Sequence, residues 1–210
     1  VHEAAERNDV EALKVLLDAD PRLVDAEEDE GGWGPLHVAC SAGSLDAARL
    51  LLYRGANVNR ANGHGFTALM DACNGGYVEV VRLLLAQGSD PTLHDSHRWT
   101  AFMFASVGRA CSGSDHVAVI RLLLEDGRLP VDASDEGGRP ALYLACAEGY
   151  PERARVLLME GHTIANHRGL TPVAFAQRRG QQECVQLLEV RGQFQPLPDL
   201  ALDWYPHVLT

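Results

Sequence analysis

Nine histidines, five cysteines and 29 carboxylates give this chain of 210 residues ample material for acid–base, nucleophilic or metal chemistry. Their placement points elsewhere. Cys40, Cys73 and Cys146 each follow the alanine of a recurring apolar phrase, so they hold one equivalent position on successive helices. Packed helices lie about 8–10 Å apart, farther than the roughly 7 Å between Cα atoms that a disulfide can bridge. These thiols are expected to be small buried residues of a protein kept in a reducing compartment. Cys111 lies in a Gly/Ser-containing stretch with no base beside it, which argues against a reactive nucleophile. His64, His94 and His97 are scattered over connectors, where only chance proximity would make a metal site. The glycine pairs fall in turns and form no phosphate-binding loop. The expectation is a protein that is not an enzyme, with no catalytic residue, no metal and no cofactor.

What the chain does space regularly is large aromatic surface. Trp33, Phe66 and Trp99 fall 33 residues apart, each just ahead of one phrase. The phrase reads Pro35-Leu36-His37-Val38-Ala39-Cys40, then Ala68-Leu69-Met70-Asp71-Ala72-Cys73, then Ala101-Phe102-Met103-Phe104-Ala105-Ser106. A fixed period of this kind marks a repeat array, in which the three rings should stack as a row. Such rings each bury about 150–250 Å² on contact and are typical anchors of protein interfaces; packing within the stack is their other use. Asp71 is the odd residue of the phrase, since its sister copies carry Val38, Phe104, Leu144 and Phe175. A lone carboxylate among aromatics would suit an Arg or Lys of a bound peptide. The plainer alternative is a solvated or helix-capping aspartate.

The elements that must position these residues follow from two anchors. The first is Val1, Leu36, Leu69, Phe102, Leu142 and Val173; the second begins at Val15, Leu50, Leu83, Leu122, Val156 and Leu187. The two lie 14 residues apart in five copies and 20 apart in the fourth, which places a six-residue insertion near Val107–Asp115. In each copy a Thr or Gly followed by Pro or Ala opens a short helix, as in Thr171-Pro172. Gly43, Gly76, Gly149 and Gly180 then stop it, and a second helix follows, such as Leu45–Tyr53 or Val78–Ala86. Polar, turn-rich connectors lead on: Asn62-Gly63-His64-Gly65, Asp95-Ser96-His97-Arg98, Asp135-Glu136-Gly137-Gly138. Neither short helix can bury its apolar side alone, so stacked copies must build a continuous core.

At these residues the chain resembles the ankyrin repeat family. The resemblance rests on Gly32-Trp33-Gly34-Pro35-Leu36-His37-Val38-Ala39-Cys40, Leu50-Leu51-Leu52, Gly55-Ala56-Asn57-Val58-Asn59, Gly65-Phe66-Thr67-Ala68-Leu69 and Gly169-Leu170-Thr171-Pro172-Val173. It implies an all-α solenoid of about six helix–turn–helix units with hairpin-like fingers along one edge. The units run near 1–28, 29–61, 62–94, 95–134, 135–165 and 166–192. A tail over 193–210, too apolar for a pure linker, is expected to cover the last repeat. The resemblance also implies protein binding on a concave side, which the position of Trp33, Phe66, Trp99, Arg139 and Leu170 would face. Beside them stand small first-helix residues, Ser41 and Ala42, then Asn74 and Gly75, which would leave slots between the rings. His2 and His37 match the family's structural histidine, a backbone brace rather than an acid–base group.

The charge balance narrows the partner. Eighteen Lys+Arg against 29 Asp+Glu give a net charge of −11, so neither a phosphate backbone nor an anionic membrane surface is an expected partner. The expectation is a monomeric, intracellular (cytoplasmic or nuclear) recognition module for a protein or a basic-aromatic or basic-apolar peptide. Asp29, Glu30, Asp95, Asp135 and Glu136 would add negative field beside Asp71. Two further roles fit the same residues: targeting or substrate reception within a larger enzyme or ubiquitin-ligase-type assembly, and inhibition by occluding a partner.

Overall fold

The computed structural model describes residues 1–28, 31–109, 115–129, 133–159 and 171–190. Over these residues the chain forms twelve α-helices in six consecutive pairs. They are α1 (His2–Glu6) with α2 (Val10–Ala19), α3 (Pro35–Ser41) with α4 (Leu45–Tyr53), and α5 (Ala68–Gly75) with α6 (Val78–Ala86). Then come α7 (Ala101–Val107) with α8 (His116–Asp126), α9 (Ala141–Glu148) with α10 (Pro151–Met159), and α11 (Pro172–Arg178) with α12 (Gln182–Val190). The long acidic connector after the first pair holds a 3-10 turn, Pro21–Asp25, opened by Asp20, whose carboxylate accepts from the Arg22 N–H at 3.0 Å. The expected tail over 193–210 and the centre of the insertion lie outside the described residues.

Local chemistry starts and stops these helices. Thr67 and Thr171 cap α5 and α11 by accepting from the N–H groups of Met70 and Ala174, each at 3.4 Å. Asp9 and Asp115 do the same for α2 and α8 at 3.0 and 2.9 Å. Gly76, at φ 69°, ends α5 in the left-handed region where a side chain is strained. First helices pack on first helices and second on second, pair after pair. One core runs through the stack: Leu36, Leu69, Phe102, Leu142 and Val173 meet Leu51, Leu84, Leu123, Leu157 and Leu188, all buried. Leu16, the counterpart of Leu51, lies at the outer edge of the first pair and is exposed.

The connectors double back as fingers, each closed by one antiparallel bridge: Glu28–Trp33, Ala61–Thr67, His94–Thr100 and Ser134–Pro140. A buried side-chain oxygen holds each of the last three. Asn62 Oδ1 accepts from the N–H groups of His64 (2.9 Å) and Phe66 (3.0 Å). Asp95 Oδ1 accepts from His97 (2.9 Å) and Trp99 (2.7 Å), and Asp135 Oδ1 from Gly137 and Arg139, both at 2.9 Å. Neighbouring fingers are tied by Gly63 N–H to Gly31 O (2.9 Å), Ser96 N–H to His64 O (3.0 Å) and Glu136 N–H to His97 O (3.3 Å).

Histidines brace the stack between units. Gly34 N–H donates to His37 Nδ1 (3.3 Å), so the ring's Nε2–H must donate to Phe66 O of the next finger at 3.0 Å. His2 Nε2 reaches Ala26 O at 3.0 Å. After the insertion, His116 Nε2 donates to Asn74 O (2.9 Å) and Asp115 N–H to Gly76 O (2.8 Å), which fastens the start of α8 to the end of α5. Gly108 sits in this seam. A Cβ there would lie 2.2 Å from Asn74 O and 2.5 Å from His116 Nε2.

Two outcomes follow for stability. Gly108→Ala must push the seam apart and should cost about 1–3 kcal/mol in urea unfolding, whereas Gly55→Ala, whose Cβ would meet nothing within 4 Å, loses only what its φ of 93° demands. Burial, chiefly, holds the His37 and His116 imidazoles below their ordinary 6.5. A depressed folded pKa gives stability that is present above 6.5 and lost as pH falls through the folded value. The melting temperature should therefore drop on acidification below that point, and a His37→Gln/His116→Gln double variant should show a flatter drop.

Candidate functional site

The Asn62, Asp95 and Asp135 braces decide where the expected site residues go. In each finger the second N–H captured belongs to the residue before the helix-opening pair: Phe66, Trp99 or Arg139. The side chain four residues after the brace is therefore delivered at a fixed angle next to the first helix. Trp33 reaches the same place through Glu28 N–H to Trp33 O at 2.8 Å.

The rings do form a row, with one member the periodicity did not supply. Trp33 and Phe66 are 6.0 Å apart between ring centroids, tilted by 44°. Phe66 next touches Phe104 of α7 (5.1 Å), and Phe104 touches Trp99 (5.2 Å). The chain of contact is thus Trp33–Phe66–Phe104–Trp99. Separations of 4.5–7 Å with tilted planes are the favourable aromatic geometry. Trp33 also takes His37 edge-on at 5.8 Å, so the histidine brace and the ring row share a wall. Trp33, Phe66 and Phe104 stay partly exposed, whereas Trp99 keeps only 9% of its surface. Trp99 is the packed end of the row and Trp33 the open one.

Ser41 and Asn74 are exposed, Ser41 with its hydroxyl donating to Val38 O at 3.0 Å. The neighbouring slot at Gly75 is filled by the protein itself. A Cβ on Gly75 would fall 2.2 Å from the Tyr77 ring, and one on Gly43 2.7 Å from the same ring. Those glycines are small because Tyr77 lies across them, not because a guest needs room. Arg139 is engaged locally, its Nε and Nη2 on Asp135 Oδ2 at 2.8 and 2.5 Å. Asp95 and Asp135, expected to add field beside Asp71, are buried braces instead. Leu170, Asp29, Glu30 and Cys111 lie outside the described residues.

Asp71 is the unusual group. It stands in the first turn of α5, at the register position of Val38 and Phe104, with 8% of its surface exposed. Its Oδ2 is buried without a hydrogen-bond partner among the described residues. Burial alone holds the carboxyl well above its ordinary 3.8. The nearby Cys40 and Cys73 thiols are pushed up as well, by burial first and then by Asp71 itself. The solvated-aspartate alternative does not describe this side chain. Among the described residues no group of three or more His, Cys, Asp or Glu gathers as a metal site, and no helix is long and apolar enough to cross a membrane.

Helix pairs stacked in register, hairpin fingers and a histidine brace between units agree with what a comparison of the sequence with known families finds. The profile described as ankyrin repeats (3 copies) matches residues 1–95 and 107–194. The chain belongs to the ankyrin repeat family. In the solved structures, an ankyrin repeat domain from Acinetobacter baumannii AYE superposes with a TM-score of 0.74 at 30% identity, over 91% of this chain and 96% of that one. Among curated proteins, mouse protein phosphatase 1 regulatory subunit 27 is 40% identical over 65 residues, 31% of this chain and 41% of that protein. The human transient receptor potential cation channel subfamily A member 1 is 28% identical over 190 residues, 90% of this chain but 14% of the channel. A probable E3 ubiquitin-protein ligase of Oryza sativa subsp. japonica, XBOS33, is 42% identical over 67 residues, 32% of this chain and 13% of that protein. The chain therefore spans less than half the length of each of these curated relatives.

Within the ankyrin register, Phe104 and Tyr77 were the contributors that spacing could not find. Phe104 occupies a phrase position held by Val38, Asp71, Leu144 and Phe175 in the other copies, and Tyr77 sits at a helix junction whose counterpart is Tyr150. Asp71 tests the cost of this arrangement. A buried carboxyl with an unmet oxygen is destabilising by about 1–3 kcal/mol, so Asp71→Leu, the choice of the α9 copy, should stabilise the fold by an amount of that order. A raised folded pKa gives stability that is fully present below 3.8 and lost as pH rises through the folded value. The advantage of Asp71→Leu in chemical denaturation should accordingly widen as pH is raised from about 4.

Proposed function

We propose that this ankyrin repeat domain binds a protein or peptide partner on its first-helix and finger side, across the second to fourth units. The observation that carries the reading is the continuous ring row Trp33–Phe66–Phe104–Trp99, which stays partly exposed at three of its four members. Exposed aromatic surface held rigid by its neighbours loses little entropy on binding and returns much buried area. The exposed Ser41 and Asn74, at the ends of the first helices α3 and α5, supply polar groups to the same side. Arg139 and Leu170 continue the same register beyond the row. The partner is basic-aromatic or basic-apolar, in keeping with a net charge of −11. The domain acts as a scaffold, adaptor or regulator and brings no catalytic group of its own.

A second reading is favoured by the likeness to XBOS33 and to the phosphatase regulatory subunit. In it the same face selects a protein for an enzyme carried on another domain or subunit. The two readings share the binding face and differ only in what is attached to it.

The test compares substitutions on opposite sides of the fold. Trp33→Ser and Asn74→Arg alter the proposed face at exposed or partly exposed positions, and Tyr53→Ser alters the second-helix side at a residue 85% exposed. In quantitative affinity capture with all variants shown folded by circular dichroism, the first two should lose about tenfold or more of specifically retained partner. Tyr53→Ser should retain it. The opposite pattern would overturn the assignment of the face.

A further inference from the structure

The cysteines follow the repeat register, and so does what each of them faces. One first-helix position carries Cys40, Cys73, Ser106 and Cys146 in the second to fifth units. One second-helix position carries Val80, Val119, Arg153 and Cys184 in the third to sixth. These two positions meet across the join between units. At the third join, Arg153 of α10 donates to the carbonyl of Ser106 in α7 at 3.2 Å. At the fourth, the side chains themselves touch: the Cys146 thiol of α9 donates a hydrogen bond to the sulfur of Cys184 in α12. By register the first two joins match Cys40 with Val80 and Cys73 with Val119, and a thiol matched with a valine has nothing to react with. Among the described residues only the last join sets cysteine against cysteine.

Both sulfurs belong to free cysteines of the core, Cys146 with 0% and Cys184 with 1% of its surface open. Their hydrogen bond divides their acidity. It pushes the Cys146 thiol up, with burial adding to the effect, and holds the Cys184 thiol below its ordinary 9.0 against burial. The thiolate is the reactive form of cysteine, so Cys184 is the attacking sulfur and Cys146 the resolving one. We propose that Cys146 and Cys184 are a hydroperoxide-oxidised pair, whose disulfide staples α12 to α9 and locks the sixth helix pair onto the fifth. Cys184 sulfur attacks one peroxide oxygen, the O–O bond breaks, and a sulfenic acid and one water form. Cys146 sulfur then displaces the hydroxyl from Cys184 sulfur as a second water. Two thiols and one hydrogen peroxide thus give one disulfide and two waters, the two electrons passing from sulfur to the peroxide oxygens. A dithiol reductant reverses the bond by exchange.

Burial decides when the reaction runs. The helices α11 and α12 are the last described pair and pack on α9 and α10, so among the described residues they have a neighbouring pair on one side alone. An array unit held from one side opens at lower cost than the whole stack. Oxidant reaches the sulfurs through that opening, and the bond opposes the motion that let it form. The ring row lies in the second to fourth units, so the staple and the binding face stand or fall separately.

The experiment treats the full chain, reduced and then freed of reductant, with a few equivalents of hydrogen peroxide in buffer where circular dichroism shows it folded. Remaining thiols are capped with N-ethylmaleimide before intact-mass measurement and peptide mapping. The expected product is a monomer lacking two hydrogens, with the Cys146 and Cys184 peptides linked, and dithiothreitol restores the starting chain. Its melting temperature should lie about 5–15 °C above that of the reduced chain. Its rate of formation should rise in urea well below the unfolding midpoint, as local opening requires. Cys146→Ser and Cys184→Val install residues that other units carry at these positions, Ser106 for the first and Val80 and Val119 for the second. Both variants should therefore fold, and each should abolish the linked product and the shift in melting temperature. Linkage through Cys40, Cys73 or Cys111, sulfinic acid without linkage, disulfide-joined dimers, or a bond formed only in urea that unfolds the whole chain would each overturn the staple. So would a linked product that melts no higher than the reduced chain.

Discussion

The oxygen of Asn62, Asp95 or Asp135 closes its finger by accepting two backbone N–H groups, and the second of these belongs to Phe66, Trp99 or Arg139. A finger is otherwise held by a single antiparallel bridge, too little pairing to keep a turn in one shape. With the brace in place, the residue that ends the finger has its backbone fixed before the first helix begins. Its side chain has little choice but to lie along that helix. The finger-to-finger bonds then repeat the same setting at the next unit, and His37 joins one unit's helix to the next finger's carbonyl. The row of rings is a consequence of that backbone network rather than of attraction between the rings.

The same network explains which parts of the molecule were legible in the sequence. The repeat, its two helices per unit and its turns are written in period and local chemistry, since Thr67-Ala68, Thr171-Pro172 and the stop glycines act through neighbours only a few residues away. The row Trp33–Phe66–Trp99 was legible for the same reason. What was not legible depends on contacts across units. Phe104 looks like core in its own copy and becomes the link between Phe66 and Trp99 only because α7 lies against α5. Asp95 and Asp135 look like surface acids until the finger folds over them. Gly75 looks like an open slot until Tyr77 is laid across it. Composition cannot distinguish a charge that faces solvent from one that accepts two backbone N–H groups.

Asp71 and the braces show how the same residue type can serve opposite ends. Asp135 is as buried as Asp71, yet its oxygens meet backbone N–H groups and the Arg139 guanidinium, so its charge is matched inside the protein. Asp71 has an oxygen with no match and is driven toward its neutral form. The first arrangement stabilises and uses up the carboxylate; the second destabilises and leaves one buried oxygen unmet among the described residues. A residue that weakens the fold where an apolar side chain would serve is the kind of local inconsistency that marks a functional position in an otherwise consistent repeat.

The insertion between α7 and α8 obeys the same logic of satisfied backbone. The other first helices that can be followed to their ends close through a left-handed residue or a short return of the chain, but α7 runs into Gly108 at φ −51° and ψ 142°, in extended backbone. Its last carbonyls would be left without donors. Arg153, buried in α10 of the following unit and stacked 3.9 Å over the Tyr150 ring, donates to Ala105 O (3.4 Å) and Ser106 O (3.2 Å). A cation at a helix C-terminus also meets the negative end of its dipole. Equivalent positions in α6 and α8 hold Val80 and Val119, which have no such work because α3 and α5 end regularly. The lengthened loop and the buried arginine one unit later are therefore a matched pair: the stack tolerates the interruption at α7 because the next unit supplies the donor that the interruption took away.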